Sequence, residues 1–150
     1  MRLKQTDLAY AAGIIDGEGT FSIHNKKQRK AKSLLHCGQI AVGMTKKEVP
    51  FRFKKLFGGC NRTVLPKNKK HSRVYYWSLW SNQAAAFLKK VLPYLITRKA
   101  QALLFLEFQK YMQDTHVQGG WYHTLSASVI KKREGFVRKM HKLNRRGRIA

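Results

Sequence analysis

Apolar positions along the chain change period several times, and each change predicts an element. Leu8, Ala12 and Ile15 recur at i, i+4 and i+7, which predicts a helix from about Asp7 to Asp16. Thr6 is placed to cap it, and Asp7 suits the positive end of its dipole. Gly17 and Gly19 end it. From Thr20 to Lys26 the period falls to two, with Phe21 and Ile23 against Ser22 and His24, as in a half-buried strand. A cationic turn follows, then a second strand from about Ser33 to Met44, with Ile40 and Val42 inward and Gln39 outward. A short helix, Lys47 to Phe57, closes at Gly58-Gly59. The style then repeats: a strand from Cys60 to Leu65, a turn at Pro66 to Lys70, and a partner strand from His71 to Trp80. Asn82 is placed to cap a helix from Gln83 to Leu92, which Pro93 ends. Arg98 to Gln113 predicts an amphipathic helix with Leu104, Phe108 and Tyr111 on one face. After a break at Gly119-Gly120, Val129, Phe136, Met140 and Leu143 mark a last helix, weakened by Gly135. The expected class is α+β: two antiparallel hairpins in one four-stranded sheet, helices on one face, the other face open.

Composition narrows the picture. The 150 residues contain no Pro/Gly/Ser-rich linker, so one domain, 1–150, is expected, with a basic helical extension over about 121–150. At 43% hydrophobic and 11% aromatic residues the chain is too apolar for a disordered basic tail. It carries 31 Lys+Arg against 7 Asp+Glu, a formal charge of +24, and a compact body so charged repels itself unless a polyanion relieves it. Nucleic acid is the leading candidate partner, since phosphates supply closely spaced charge. A membrane surface is the weaker one: no apolar run approaches about 18 residues, and the cations are not gathered on one amphipathic helix. The first residues lack the apolar stretch of a signal peptide, which predicts a soluble, intracellular protein. Cys37 and Cys60 stand alone, away from any zinc-ligand spacing, and are expected to be free and buried, with a Cys37–Cys60 bridge as the alternative in a hyperthermophile.

The scarce acids are informative. Two of the seven, Asp16 and Glu18, lie two residues apart at the carbonyl end of the first helix, where partial negative charge disfavours them unless a cation compensates. Carboxylate and backbone carbonyl oxygens at such a place suit Mg²⁺, although a glycine-rich acidic segment also makes a plain solvated helix stop. Ala9, Gly13 and Gly17 form a small-residue stripe on the same helix, fit for close helix–helix contact with another copy or for packing inside one chain.

The stretch from Leu8 to Phe21, LAYAAGIIDGEGTF, resembles the signature of the LAGLIDADG homing endonucleases. The matching positions run from Ala11 to Gly19, with Ala11 in place of the usual leucine. The order helix, hairpin, helix, hairpin extends the likeness to about Tyr111, and Leu92-Pro93-Tyr94-Leu95 followed by Arg98-Lys99-Ala100 is similar to the segment bearing the family's active-site basic residue. The resemblance implies an αββαββα saddle whose sheet lies in the DNA major groove. A single motif is found, and single-motif members are homodimers. Their motif helices would meet through Ala9, Gly13 and Gly17, on a pseudo-palindromic target.

By position, the resemblance makes Glu18 the metal-binding acid, the Gly17 carbonyl a backbone ligand, and Asp16 a structural acid. Arg98 matches the basic residue beside the scissile phosphates, and Lys46 or its neighbour Thr45 the polar residue that orders water. Strand parity offers Ser22, His24, Lys26, Gln39, Arg62, Arg73 and Tyr75 to the groove, each with a bare solvent-facing role as its alternative. The implied activity is Mg²⁺-dependent (or Mn²⁺-dependent) cleavage of double-stranded DNA leaving 3′ overhangs, in service of intron mobility. Alternatives on the same fold are an RNA-splicing maturase bound to intron RNA and a catalytically degenerate DNA-binding protein, which the intact Glu18 disfavours. Outside the family, a basic RNA-binding protein such as a ribosomal component would share the charge.

Overall fold

A computed structural model describes residues 2–68, 70–117 and 123–145. Ten elements follow in order: α1 (Gln5–Glu18), β1 (Gly19–Lys26), β2 (Leu35–Met44), α2 (Glu48–Phe57), β3 (Cys60–Val64), β4 (Val74–Trp80), α3 (Ser81–Val91), a 3₁₀ turn (Leu92–Tyr94), α4 (Lys99–Asp114) and α5 (Ala127–Asn144). The Gly119-Gly120 break and the basic tail beyond residue 145 lie outside the described residues.

The strands form one antiparallel sheet in the order β1-β2-β4-β3. Period-two burial decides its two faces. Phe21, Ile23, Ile40, Val42, Trp77 and Leu79 are buried and point to one side, where the five helices pack. Trp77 is the hub: it packs edge-on against Phe53 of α2 and Phe87 of α3, and its indole N–H donates to the Gly58 carbonyl at 2.8 Å. Helix α5 is no appendage. Phe136, Val137 and Met140 are buried in the same core, and Phe136 lies 5.6 Å from Phe108 of α4 in a tilted-edge pair.

Several local expectations are corrected. The N-cap of α1 is Lys4, whose backbone N–H donates to the Asp7 carboxylate at 3.2 Å, so Thr6 sits inside the first turn. Trp80, not Asn82, is the N-cap of α3. The Asn82 side-chain oxygen instead accepts from Gln109 and Gln113 of α4, at 2.8 and 2.9 Å, and ties two helices together. β3 stops at Val64, and β4 starts only at Val74. Both cysteines are free, yet Cys37 is half-buried and Cys60 exposed. They belong to β2 and β3, with β4 between, and Cys37 lies four residues along β2 from Ala41, which shares the Cys60 row, so they are too far apart for a disulfide.

Candidate nucleic-acid interface and cleavage site

The face of the sheet away from the helices holds the other parity of every strand. Ser22 pairs with Gln39 and Gln39 with Trp80, forming one row across β1, β2 and β4. Ala41 pairs with Ser78 and Ser78 with Cys60, forming the next, and Gly43, Tyr76 and Arg62 form a third. None of these side chains is buried. Tyr76 lies over Gly43, where any Cβ would strike its ring, and the Arg62 guanidinium sits 5.2 Å from the Tyr76 centroid. His24 and Lys26 continue the same parity along β1. Burial and, to a lesser degree, Lys26 act on Cys37: desolvation raises its thiol pKa and the nearby ammonium lowers it, with a net upward shift.

Five of the seven residues offered to the groove from sequence therefore share the open face: Ser22, His24, Lys26, Gln39 and Arg62. Arg73 is exposed but precedes β4, in the loop that joins it to β3. Tyr75 is a correction: it is in phase with Trp77 and Leu79 on the helix side, where its ring meets Phe51 of α2 at 6.3 Å. Tyr76, Ser78 and Trp80 occupy the open face instead. Parity misled there because Val74 to Trp80 is apolar or aromatic at six of seven positions, so alternation alone does not say which phase is buried.

At one end of this face α1 runs straight into β1. Gly19 is buried at the junction, and a Cβ there would fall against the Ile15 carbonyl, so only glycine lets the chain leave the helix so tightly. Asp16 is a positioning residue. Its carboxylate accepts backbone N–H bonds from Ile96, Thr97 and Arg98 at 2.8, 3.1 and 2.9 Å, and its carbonyl accepts from the Thr97 hydroxyl at 3.2 Å. The start of α4, with Arg98 as its N-cap, is thus tied to the end of α1. A polar hollow of about 280 Å³ opens beside this joint, lined by Asp16, Thr97, Arg98 and Gln101.

Glu18, the last residue of α1, is exposed and makes no hydrogen bond or ion pair among the described residues. No basic residue lies in the last turn of its helix. Lys46 and Thr45 leave β2 just beyond Met44. Since Gly19 pairs with Val42, they leave at the same end of the sheet as Glu18. Glu18 and the Gly17 carbonyl are hard oxygen donors of the kind Mg²⁺ or Mn²⁺ takes. Among the described residues no group of three or more His, Cys, Asp or Glu side chains is placed to hold a metal ion.

Ala9, Gly13 and Gly17 are exposed, and a Cβ added at Gly13 or Gly17 would meet nothing within 4 Å. The small-residue stripe is therefore not packed against any of the described residues. Among the described residues no helix is long and apolar enough to cross a membrane.

No family model and no curated protein matches the sequence. Solved structures match its fold. The homing endonuclease I-CvuI, solved with a DNA target in the presence of Mg, superposes with a TM-score of 0.73 at 19% identity, over 93% of this chain and 82% of that one. The archaeal intron-encoded homing endonuclease I-Vdi141I, complexed with DNA, gives 0.70 at 22% identity, over 95% and 86%. The homing endonuclease I-TnaI gives 0.64 at 21% identity, over 97% and 96%. With one signature helix and one four-stranded open sheet, the chain has the fold of the single-motif LAGLIDADG homing endonucleases.

Proposed function

We propose that this protein is a site-specific double-strand DNA endonuclease, active as a homodimer and dependent on Mg²⁺ or Mn²⁺. The observation that carries the reading is Glu18: an exposed carboxylate with no partner among the described residues, at the carbonyl end of α1, at the edge of the open sheet and on the same helix end that anchors Arg98. A solvated helix stop would not need three backbone N–H groups of a distant segment gathered on the neighbouring Asp16. The open stripe of Ala9, Gly13 and Gly17 supports pairing of two α1 helices, which would bring two Glu18 side chains together over a pseudo-palindromic site.

In that arrangement Glu18 and the Gly17 carbonyl of each chain would hold the metal. A bound divalent ion supplies polarisation of the scissile phosphate and an activated water. The chain's own residues do the rest. Arg98 would neutralise charge accumulating on the phosphate oxygens, held in place through its backbone by Asp16. Lys46, or Thr45 beside it, would hydrogen-bond the attacking water, while Ser22, Gln39 and Arg62 address the groove. The 3′ oxygen departs, and staggered cuts leave 3′ overhangs, in keeping with the family's chemistry. The test is selection of bound duplexes from a randomised library, followed by incubation of the selected duplex with Mg²⁺, Mn²⁺, Ca²⁺ or EDTA. Specific cleavage is expected in Mg²⁺ or Mn²⁺ and not in EDTA. Tight specific binding with no cleavage in Mg²⁺ or Mn²⁺ would leave a DNA-binding protein and remove the nuclease.

A further inference from the structure

A cavity of about 210 Å³ lies on the helix side of the sheet, at the end away from Glu18. β1 begins at Gly19, paired with Val42, and ends at Lys26, paired with Leu35; the cavity takes Ser33 and His36 from that far end. His36 is buried and in phase with Ile40 and Val42, which places it on the helix side. The chain leaving α4 contributes Thr115 and His116, α5 contributes Arg133, and His123 stands between them in sequence. Among the described residues no acid lines the cavity. The cleavage site proposed above uses none of these residues.

Arg133 is only 5% exposed, and among the described residues it makes no ion pair. Its Nη2 donates to the Thr115 hydroxyl at 2.8 Å and to the Thr115 carbonyl at 3.3 Å, and the hydroxyl donates in turn to the Tyr111 carbonyl at 2.7 Å. Those bonds hold the guanidinium at the carbonyl end of α4, whose dipole offers about half a negative charge and not a full counter-ion. The Arg133 Nε–H is buried with no partner among the described residues. Glu134, its neighbour in sequence, is engaged by Asn25 and His36. Burial accordingly pushes the guanidinium pKa below the usual arginine value. A second orphan lies in the same wall. His36 Nε2 meets the Glu134 carboxylate at 2.6 Å and so carries its proton there, while Nδ1 is buried without a partner among the described residues. A buried charge without a counter-charge is costly, and an anion in the cavity would remove that cost. We infer that this cavity binds a small oxyanion of the phosphate class, with Arg133 as its main ligand. The planar fork of an arginine matches phosphate geometry. Phosphate also presents acceptor oxygens on every side, which suits side chains arriving from β2, from the end of α4 and from α5. His36 Nδ1 joins as a donor once it holds a proton. A duplex on the open face lies across the sheet from this cavity, so the ligand is a free ion and not the DNA backbone, and the site stands whether or not the protein cuts DNA.

The test follows the Arg133 Nε–H signal by nitrogen-15 NMR of the full chain, with sodium phosphate exchanged for sodium chloride at fixed ionic strength. A saturable shift is expected, half complete near about 1 mM. Sulfate should reproduce it, and a mixed-sequence DNA duplex should not. At about 20 mM phosphate the melting temperature should rise by about 4–7 °C. Lys142→Gln removes an exposed charge elsewhere on α5 and should keep that rise, whereas Arg133→Gln should lose it. A rise that survives Arg133→Gln is general screening of the +24 charge and overturns the proposal. An Nε–H signal that never moves, that moves without saturating, or that answers to the duplex and not to phosphate overturns it as well. If Arg133→Gln does not fold, the wild-type titration decides by itself.

Discussion

A carboxylate at the carbonyl end of a helix sits against its local field, and Glu18 has no cation on its own last turn to offset that. Glu18→Gln should therefore fold as well as the wild type. In a gel-shift and cleavage assay on one duplex, it is expected to bind at least as tightly and to cut at a rate below detection. Near-normal cutting would remove Glu18 as the metal ligand. Asp16 is different, because its carboxylate satisfies three backbone donors that no other group reaches. Asp16→Ala should cost about 1–3 kcal/mol in denaturant unfolding, and it should slow cleavage through Arg98. Asp16→Asn, which keeps one acceptor, should lose less. The motif's pattern of residues was readable in sequence. The division of labour between its two acids came there only by family resemblance; the structure adds the hydrogen bonds that tie Asp16 to the start of α4, some eighty residues along the chain.

Elements are joined by a small number of polar ties. Glu134 of α5 accepts from Asn25 of β1 at 3.0 Å and from His36 of β2 at 2.6 Å. The Asn25 hydrogen bond, the largest influence, holds the Glu134 carboxyl below its ordinary value of 4.5; burial, the next largest, opposes it, and the His36 hydrogen bond adds to the lowering. A depressed carboxylate contributes stability that is complete above the unfolded value and is lost as pH falls through the folded one. Glu134→Gln should thus lower the melting temperature at pH 7, and the gap to the wild type should close as pH drops below about 4.5. A constant gap from pH 7 to pH 3 would show that the tie acts by shape and not by charge. The motif glycines offer a second contrast. Gly19→Ala would push a methyl into the Ile15 carbonyl and should destabilise by about 1–3 kcal/mol. Gly13→Ala meets open space inside a helix and should stabilise the isolated chain by up to about 1 kcal/mol. Helix and strand positions were legible because their periods differ. The caps were not: neither Lys4 nor Trp80 is a residue type that caps with its own side chain, and α1 is closed instead by Asp7 three residues on.

For the whole molecule, two quantities follow from the open stripe and the charge of +24. Sedimentation at micromolar concentration should find a dimer without DNA. Gly13→Leu should sediment as a folded monomer with an unchanged circular dichroism spectrum, because Gly13 is exposed and a Cβ there meets nothing within 4 Å among the described residues. A normal active dimer from Gly13→Leu would place the interface elsewhere. DNA binding should weaken steeply with salt, with a log–log slope of about −5 to −9 for six to ten neutralised phosphates. A slope near zero would mean the basic surface is not in contact with the duplex.

Local order determined much of this protein without any tertiary information. Period and glycine placement are short-range properties, so the succession of helices and hairpins, the acidic motif at a helix end and the excess of cations could all be read along the chain. The tertiary structure alone decided which phase of β4 is buried, because Tyr75, Tyr76, Trp77 and Trp80 are all large and apolar enough for either side. It alone decided that Asp16 is bound to the start of α4 while Glu18 is exposed and, among the described residues, without a partner. It also joined His24, Gln39 and Trp80, from three different strands, into one unit. Those outcomes depend on contacts between residues far apart in sequence, whose energies enter only once the sheet has closed and one face has been taken from water.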